Sequence, residues 1–342
     1  EPTAVLTPQG IEGLFQAIRY LTKHGKTVIL ITHKLKEVME ISDYITVLKN
    51  GEVTGNLYPG DTDEHGLASL MVGRQVLFNT SKQEKDTGGT VLDVKGLTVM
   101  GSDGIEKVKN VDLSVKKGEI VGIAGVAGSG QGELIEAVFG LRKPKTGTIT
   151  YKGQDITFAT PKEKREKKIG YVPQDRLATG CSTDCSLVEN CIMGYHVAHR
   201  FRNPLLVNKK EAEDFTRKVV EQFQVKTQDI HDKMGTLSGG NIQKAVLARE
   251  LSGSPQVIIA DQPTRGVDVG ATEFIRRRLV EMRDEGNGVI LVTSDLNEVL
   301  GLSDSLIVMY EGRIVAYISD TSRMTENQLG TYMLGIQVQS EE

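Results

Sequence analysis

Residues 1–51 align with residues 262–312 without a gap, at a constant offset of 261. Roughly fifteen of about fifty-one aligned pairs are identical, and a self-match of this length constrains a fold more than any local motif. The densest stretch sets Val28-Ile29-Leu30-Ile31-Thr32-His33 against Val289-Ile290-Leu291-Val292-Thr293-Ser294. Glu37-Val38, Ser42-Asp43 and Gly51 fall on Glu298-Val299, Ser303-Asp304 and Gly312, and Pro2-Thr3 on Pro263-Thr264. In both copies the pattern reads as a buried strand, a short helix, then two strands joined by a glycine turn. The expected layout is the later part of one domain over 1–75 and a linker over 76–90. A complete second copy follows over 91–335, then a tail over 336–342. The front of the first copy is expected to lie outside these residues. Thr80 to Gly89 contains no apolar residue and reads as a flexible connector.

Length and composition narrow the class. The 342 residues carry Lys+Arg 41 against Asp+Glu 45, a net charge of −4, with 39% hydrophobic residues. That balance suits a soluble globular chain with a sizeable core and excludes a broadly basic nucleic-acid binder. No apolar run approaches the roughly eighteen residues of a membrane span, so a membrane role is expected to run through a partner. Three cysteines make no disulfide framework and suggest a reducing compartment.

Glu119 to Ala124 is a short apolar run, read as a buried strand. It leads into Gly125-Val126-Ala127-Gly128-Ser129-Gly130-Gln131-Gly132 and then into Glu133 to Val138, whose apolar spacing is helical. Strand, glycine loop and helix form the context a phosphate-binding loop needs. Backbone N–H groups can curl around an anion, and the helix N-terminus adds partial positive charge. In the G-x-x-x-x-G-K-[ST] frame Gln131 holds the Lys place and Gly132 the Ser/Thr place. A neutral amide brings no charge, and Gly132 has no hydroxyl for Mg2+. A glycine turn alone is also compatible with a non-phosphate turn, so the downstream landmarks decide.

Four follow in order. Tyr171-Val172-Pro173-Gln174 offers a glutamine in a loop after a strand. Leu237-Ser238-Gly239-Gly240-Asn241 opens a helix, a second anion-binding terminus or an ordinary N-cap when taken alone. Gln256 to Ala260 is another buried strand, ending at Asp261, an acidic group placed where Mg2+ is held beside a phosphate loop. Gln262 comes next, then the loop to Asp268, and Ser294 closes the series at the end of the following strand.

This ordered set, with LSGGN intact, resembles the ATP-binding cassette (ABC) transporter ATPases over nearly the whole chain. The resemblance implies an α/β fold: a P-loop NTPase ABC cassette with a parallel core sheet, an antiparallel β subdomain and an α-helical signature subdomain at about 175–245. It implies ATP and Mg2+ as ligands, with Gln174 and Asp261 facing the metal through the nucleotide. Leu237 to Asn241 would be the signature, contacting the γ-phosphate of a nucleotide held by a partner cassette. Asp268 would lie in the interface loop joining the halves. Asp261 to Gly270 looks like the second half of twin-cassette importers for simple sugars and nucleosides. Gly128 to Leu134 with Gly140-Leu141-Arg142-Lys143 is most similar to the nucleoside branch. Two membrane-spanning permease subunits, a lipoprotein receptor and the first cassette are the implied partners, with no nucleic acid. The implied location is the cytoplasmic face of the cell membrane.

A hydrolytic site of that family needs a loop lysine, a glutamate after the strand aspartate and a histidine after the next strand. The complete copy has Gln131, Gln262 and Ser294 instead, and no aromatic between Ser81 and Val138 to stack on adenine. The first copy has Glu1 and His33 at the matching offsets, and these are the family's catalytic glutamate and switch histidine. The competent site is therefore expected to join Glu1 and His33 to the Ser238–Gly240 signature. The site over Gly125–Gly132 is expected to be slow or structural, and this chain alone to turn over little ATP. Rival readings are a soluble twin-cassette ATPase acting in translation or on DNA, which a short linker without heptads disfavours, and a non-hydrolysing regulatory nucleotide-binding module.

Other features carry bland expectations. Cys181, Cys185 and Cys191, with His196, lack a paired C-x2-C frame and read as ordinary residues. Lys162 to Lys168 reads as a solvated helix face. Phe215, Val219, Val220 and Phe223 recur at helical spacing and read as core.

Overall fold

The structure, a computed structural model, describes residues 8–49, 51–74, 82, 87–196, 201 and 207–339. Glu1, Pro2 and Thr3 therefore lie outside the described residues, as does most of the expected connector. The chain divides into two compact units, 1–79 with 266–274, and 80–265 with 275–342.

The first unit contains α1 (Pro8–Lys23), α2 (Leu35–Ile41), β1 (Ile45–Lys49), β2 (Glu52–Leu57) and α3 (Glu64–Val72). Alternation decides the hairpin: Ile45 and Val47 are buried while Thr46 and Leu48 face water, and β1 pairs antiparallel with β2. Asp63 caps α3 by accepting from Gly66 N at 2.7 Å, and Gly73 ends it in the left-handed conformation. Leu35, Ile45, Val47, Leu67 and Ala68 form the small core.

The strand expected over Val28–Ile31 is not there. Ile29 and Ile31 are 88% and 75% exposed. A strand exists only by pairing, and the matching segment of the second unit lies between two parallel neighbours. Among the described residues, the first unit's strands β1 and β2 pair with each other.

The second unit begins with the antiparallel strands β3 (Thr90–Met100) and β4 (Glu106–Lys116), then β5 (Ile120–Gly125), α4 (Gln131–Phe139), β6 (Thr146–Tyr151) and β7 (Gln154–Asp155). Next come α5 (Pro161–Glu166), β8 (Ile169–Val172), α6 (Leu187–Ile192), α7 (Lys209–Gln222), α8 (Gly239–Ser252) and β9 (Val257–Asp261). The chain continues through α9 (Val269–Asp284), β10 (Gly288–Val292), α10 (Leu296–Leu302), β11 (Ser305–Tyr310), β12 (Arg313–Ile318) and α11 (Glu326–Met333). One sheet has the order β12-β11-β5-β10-β9-β8, parallel except for the edge strand β12. The other is antiparallel, β4-β3-β6-β7.

The sequence explains the division. The strands β9 and β10 are uninterrupted in burial, as sheets covered on both faces require. By contrast β4 alternates, with Val111, Leu113 and Val115 inward and Asp112, Ser114 and Lys116 outward. One core unites both sheets with Leu134, Ile135, Val138 and Phe139 of α4. The helical insert has its own core of Val188, Ile192, Phe201, Ala212 and Ile230, against which Phe215 and Val220 pack; Val219 and Phe223 are buried too.

The charged run at 162–168 is not a uniformly solvated face. Thr160 and Glu163 form a reciprocal capping box at the start of α5, which turns Lys164 inward. Lys164 is 0% exposed, and its Nζ donates to Val138 O at 2.7 Å, at the C-terminal end of α4. Arg165 reaches Glu250 of α8 at 3.3 Å, where Arg249 Nε also donates at 3.0 Å and the Tyr195 hydroxyl at 3.2 Å. Only a partner far along the chain could bury these charges, so local pattern does not disclose them.

Candidate functional site

Parallel strands deliver their C-terminal ends to one edge, where open α/β sheets place ligands. Along that edge, β5, β10, β9 and β8 carry the glycine loop, Ser294, Asp261 with Gln262, and Gln174 respectively.

The loop after β5 depends on two left-handed glycines, Gly128 and Gly130 (φ +86° and +97°). At Gly130 a Cβ would sit 2.1 Å from Lys107 O, so both conformation and space demand glycine. Gly130 is the N-cap of α4, which aims the first N–H groups of that helix at the loop. Ser129 N donates to Val126 O at 3.1 Å, and Ser129 O accepts from Gly312 N of the β11–β12 turn. Gln131, at the lysine place, folds back onto its own loop: its Nε2 donates to Val126 O at 3.2 Å. Beside Gly132 a Cβ would meet nothing within 4 Å, so the Ser/Thr place is open and lacks a ligand.

Asp261 ends β9 and is buried. Burial pushes its carboxyl up to about 7, with the Glu136 charge acting in the same direction, against the backbone N–H of Gln174 and the Arg265 charge. Gln174 N and the Asp261 carboxylate thus meet at the ends of adjacent strands, whose register pairs Val172 with Ala260. Hard cations take oxygen ligands. A buried carboxylate and a neighbouring amide fit a Mg2+ held largely through nucleotide oxygens and water, whereas Gly132 contributes no oxygen from a side chain.

Gln262 adopts φ +49°, a left-handed conformation that costs a non-glycine residue about 1–2 kcal/mol. Its N–H donates to Val292 O at 2.7 Å, and its side chain reaches Ser294. The two residues flagged as replacements for glutamate and histidine are therefore neighbours. An amide oxygen bonded to an N–H and a hydroxyl cannot take a proton from water as a carboxylate can.

The signature segment Leu237-Ser238-Gly239-Gly240-Asn241 leads into α8 with Ser238 exposed at its N-cap. Its hydroxyl accepts from Asn241 Nδ2 at 2.8 Å. Arg176 crowds the next residue: a Cβ on Gly239 would lie 2.7 Å from Arg176 Nη2, and Arg176 Nη1 donates to Arg265 O at 2.7 Å. Arg176 opens a π-helical turn, Arg176–Gly180, held by the Asp175 carboxylate on Leu177 N and Ala178 N. No spacing in the sequence signals that turn.

Of the remaining expected residues, His33 and Asp268 group with the first unit, and Asp268 caps α9 through Ala271 N at 2.9 Å. Glu1 lies outside the described residues. Cys181 and Cys191 are buried and Cys185 is half-buried, and burial pushes the Cys191 thiol up to about 12, the direction of an inert thiol. Sequence reasoning missed Glu298, a buried carboxylate that accepts from the Thr264 hydroxyl at 2.8 Å and from Arg276 Nε at 3.0 Å. Its recurrence at the same offset as Glu37 was the available signal.

Comparison with known proteins agrees with this fold. The ABC transporter family model matches residues 108–265. The guanosine import ATP-binding protein NupO of Bacillus subtilis is 46% identical over 98% of this chain, which spans 66% of that protein. The glucose import ATP-binding protein TsgD13 of Haloferax volcanii is 42% identical over 98% of this chain and 61% of its own length. The chain thus spans slightly less than two thirds of these relatives. Among solved structures, a dimeric ATP-binding cassette in a post-hydrolysis state bound to ADP and Pi aligns with a TM-score of 0.56 at 26% identity. The alignment covers 66% of this chain and 97% of that one.

Proposed function

The chain holds an ABC transporter ATP-binding domain, and on that premise we propose that it belongs to the ATP-hydrolysing subunit of a bacterial importer for nucleosides. The observation that carries the substrate class is the 46% identity to a guanosine import protein along nearly the whole chain. Simple sugars are the second reading, favoured by the 42% identity to a glucose import protein.

In this reading the second cassette is degenerate. Gln131 bonds within its own loop instead of presenting a charge, and Gln262 is engaged with Ser294 instead of with water. Its contribution is the signature, Ser238–Gly240, lent to the site of the first cassette, where Glu1 and His33 do the chemistry. Removing such acid–base help costs roughly 10²–10⁴-fold in rate. Bound Mg2+ would neutralise charge on the transferring phosphoryl group. Asp268 serves the interface between cassettes.

The partners follow from the transport role: two membrane-spanning permease subunits, a lipoprotein receptor and the first cassette of the same protein. No helix among the described residues is long and apolar enough to cross a membrane. The subunit would sit on the cytoplasmic face, held by the permeases.

The test is ATP turnover by the full-length protein with its permeases in vesicles. Guanosine with the receptor, and not glucose, should stimulate it. Glu1→Gln should abolish turnover and Gln262→Ala should leave it near wild type. Stimulation by glucose alone would move the assignment to sugars, and equal losses from both substitutions would end the asymmetric reading.

A further inference from the structure

The turn at His33 in one unit and the turn at Ser294 in the other carry the same small relay. In the second unit the Thr293 hydroxyl donates to Glu298 Oε2 at 2.7 Å and accepts from the backbone N–H of Asp295 at 3.2 Å. In the first unit the Thr32 hydroxyl donates to Glu37 Oε2 at 3.4 Å and accepts from the N–H of Lys34 at 3.1 Å. The residue spanned by each turn is Ser294 or His33. Both glutamates are buried, at 1% and 8% exposure.

A hydroxyl has one proton and two lone pairs. Once its proton is committed to an ionised carboxylate, a lone pair is left for the N–H two residues ahead, which closes the turn around the intervening residue. The carboxylate therefore fixes a backbone direction without touching the residue whose direction it fixes.

The counter-ion is not shared. Glu298 is met by Arg276 Nε at 3.0 Å, and Arg276 Nη2 also holds Asp295 at 2.9 Å. At the matching positions the first unit has Phe15, which is buried, and Lys34, whose Nζ lies 3.1 Å from Glu37 Oε1. The cation has moved from a helix to the residue directly after His33, while hydroxyl and carboxylate stay put. A retained carboxylate with an exchanged partner points to a demand on the relay and not on one ion pair.

We propose that Glu37 is a positioning residue for His33, acting through Thr32. The inference rests on His33 being the switch histidine of the competent site. In the full-length protein, Glu37→Ala and Thr32→Val should each lower kcat by about tenfold to a hundredfold, the range expected when a catalytic group is misplaced by up to an ångström. The KM for ATP should stay close to wild type, and Thr32→Ser, which keeps the hydroxyl, should restore the turnover that Thr32→Val loses. If Glu37→Ala fails to fold, the Thr32→Val and Thr32→Ser pair decides. Inactive His33→Ala alongside Thr32→Val with wild-type kcat would overturn the inference while sparing the reading of His33. Normal turnover by His33→Ala would overturn both.

Discussion

Gln262 Oε1 accepts from the backbone N–H and from the hydroxyl of Ser294, each at 3.2 Å, clipping the end of β9 to the end of β10. In the reading proposed above these two positions correspond to a base and a switch group. The amide serves as a structural element here, on a left-handed backbone at Gln262.

Gln262→Leu should therefore act on stability. It deletes two neutral hydrogen bonds, together about 1–2 kcal/mol, and leaves the backbone strain in place. Thermal melting should show the drop, with Ser294→Ala showing about half of it. A variant that melts like wild type would mean that the clip contributes nothing.

The loop itself offers a gain-of-function test. Gln131→Lys adds a charge-assisted contact to phosphate, and Gly132→Ser adds a hydroxyl at a position with no neighbour within 4 Å. The double variant of this chain should bind a fluorescent ATP analogue at least about tenfold more tightly, since a hydrogen bond to a charged group contributes about 1.5–3 kcal/mol. Unchanged affinity would show that Gln131 and Gly132 do not limit nucleotide binding.

Lys164 supplies a pH signature. Burial lowers its ammonium from 10.5 to about 8. The unfolded chain then binds more protons than the folded one between those values, so stability rises with pH across that window. Below about pH 8 the folded protein carries the cost of the buried charge in full. The stability of wild type relative to Lys164→Met should shift in favour of wild type from pH 7.5 to about pH 10, read by denaturant titration at each pH. A pH-independent difference would contradict the burial argument.

Arg165, Arg249 and Tyr195 all converge on the buried carboxylate of Glu250. Removing one member of a buried ion cluster leaves uncompensated charge and costs about 3–5 kcal/mol. Glu250→Ala should lose soluble expression or melt well below wild type, whereas Lys162→Ala, on the same charged run, should not. Similar behaviour of the two variants would show that the cluster is not a stabilising centre.

The linear order of residues determined a good deal. The self-match at an offset of 261, the strand–glycine–helix context of Gly125–Gly132, and the presence of Gln131, Gln262 and Ser294 at their places are matters of identity and spacing, and identity and spacing are local properties. The alternation in β4 and the continuous apolar runs of β9 and β10 likewise declare which strands have one buried face and which have two. Tertiary structure decided the rest. Val28–Ile31 has the composition of a strand but pairs with no strand among the described residues, so composition alone misleads there. Lys164 and Arg165 look like their neighbours in a charged run, yet Lys164 is buried and the half-buried Arg165 pairs with a glutamate 85 residues away. Gln262 is held left-handed by bonds to Val292 and Ser294 across adjacent strands. A charged or strained residue can be kept in such a place only by the groups packed around it, and those groups come from parts of the chain that only folding brings together.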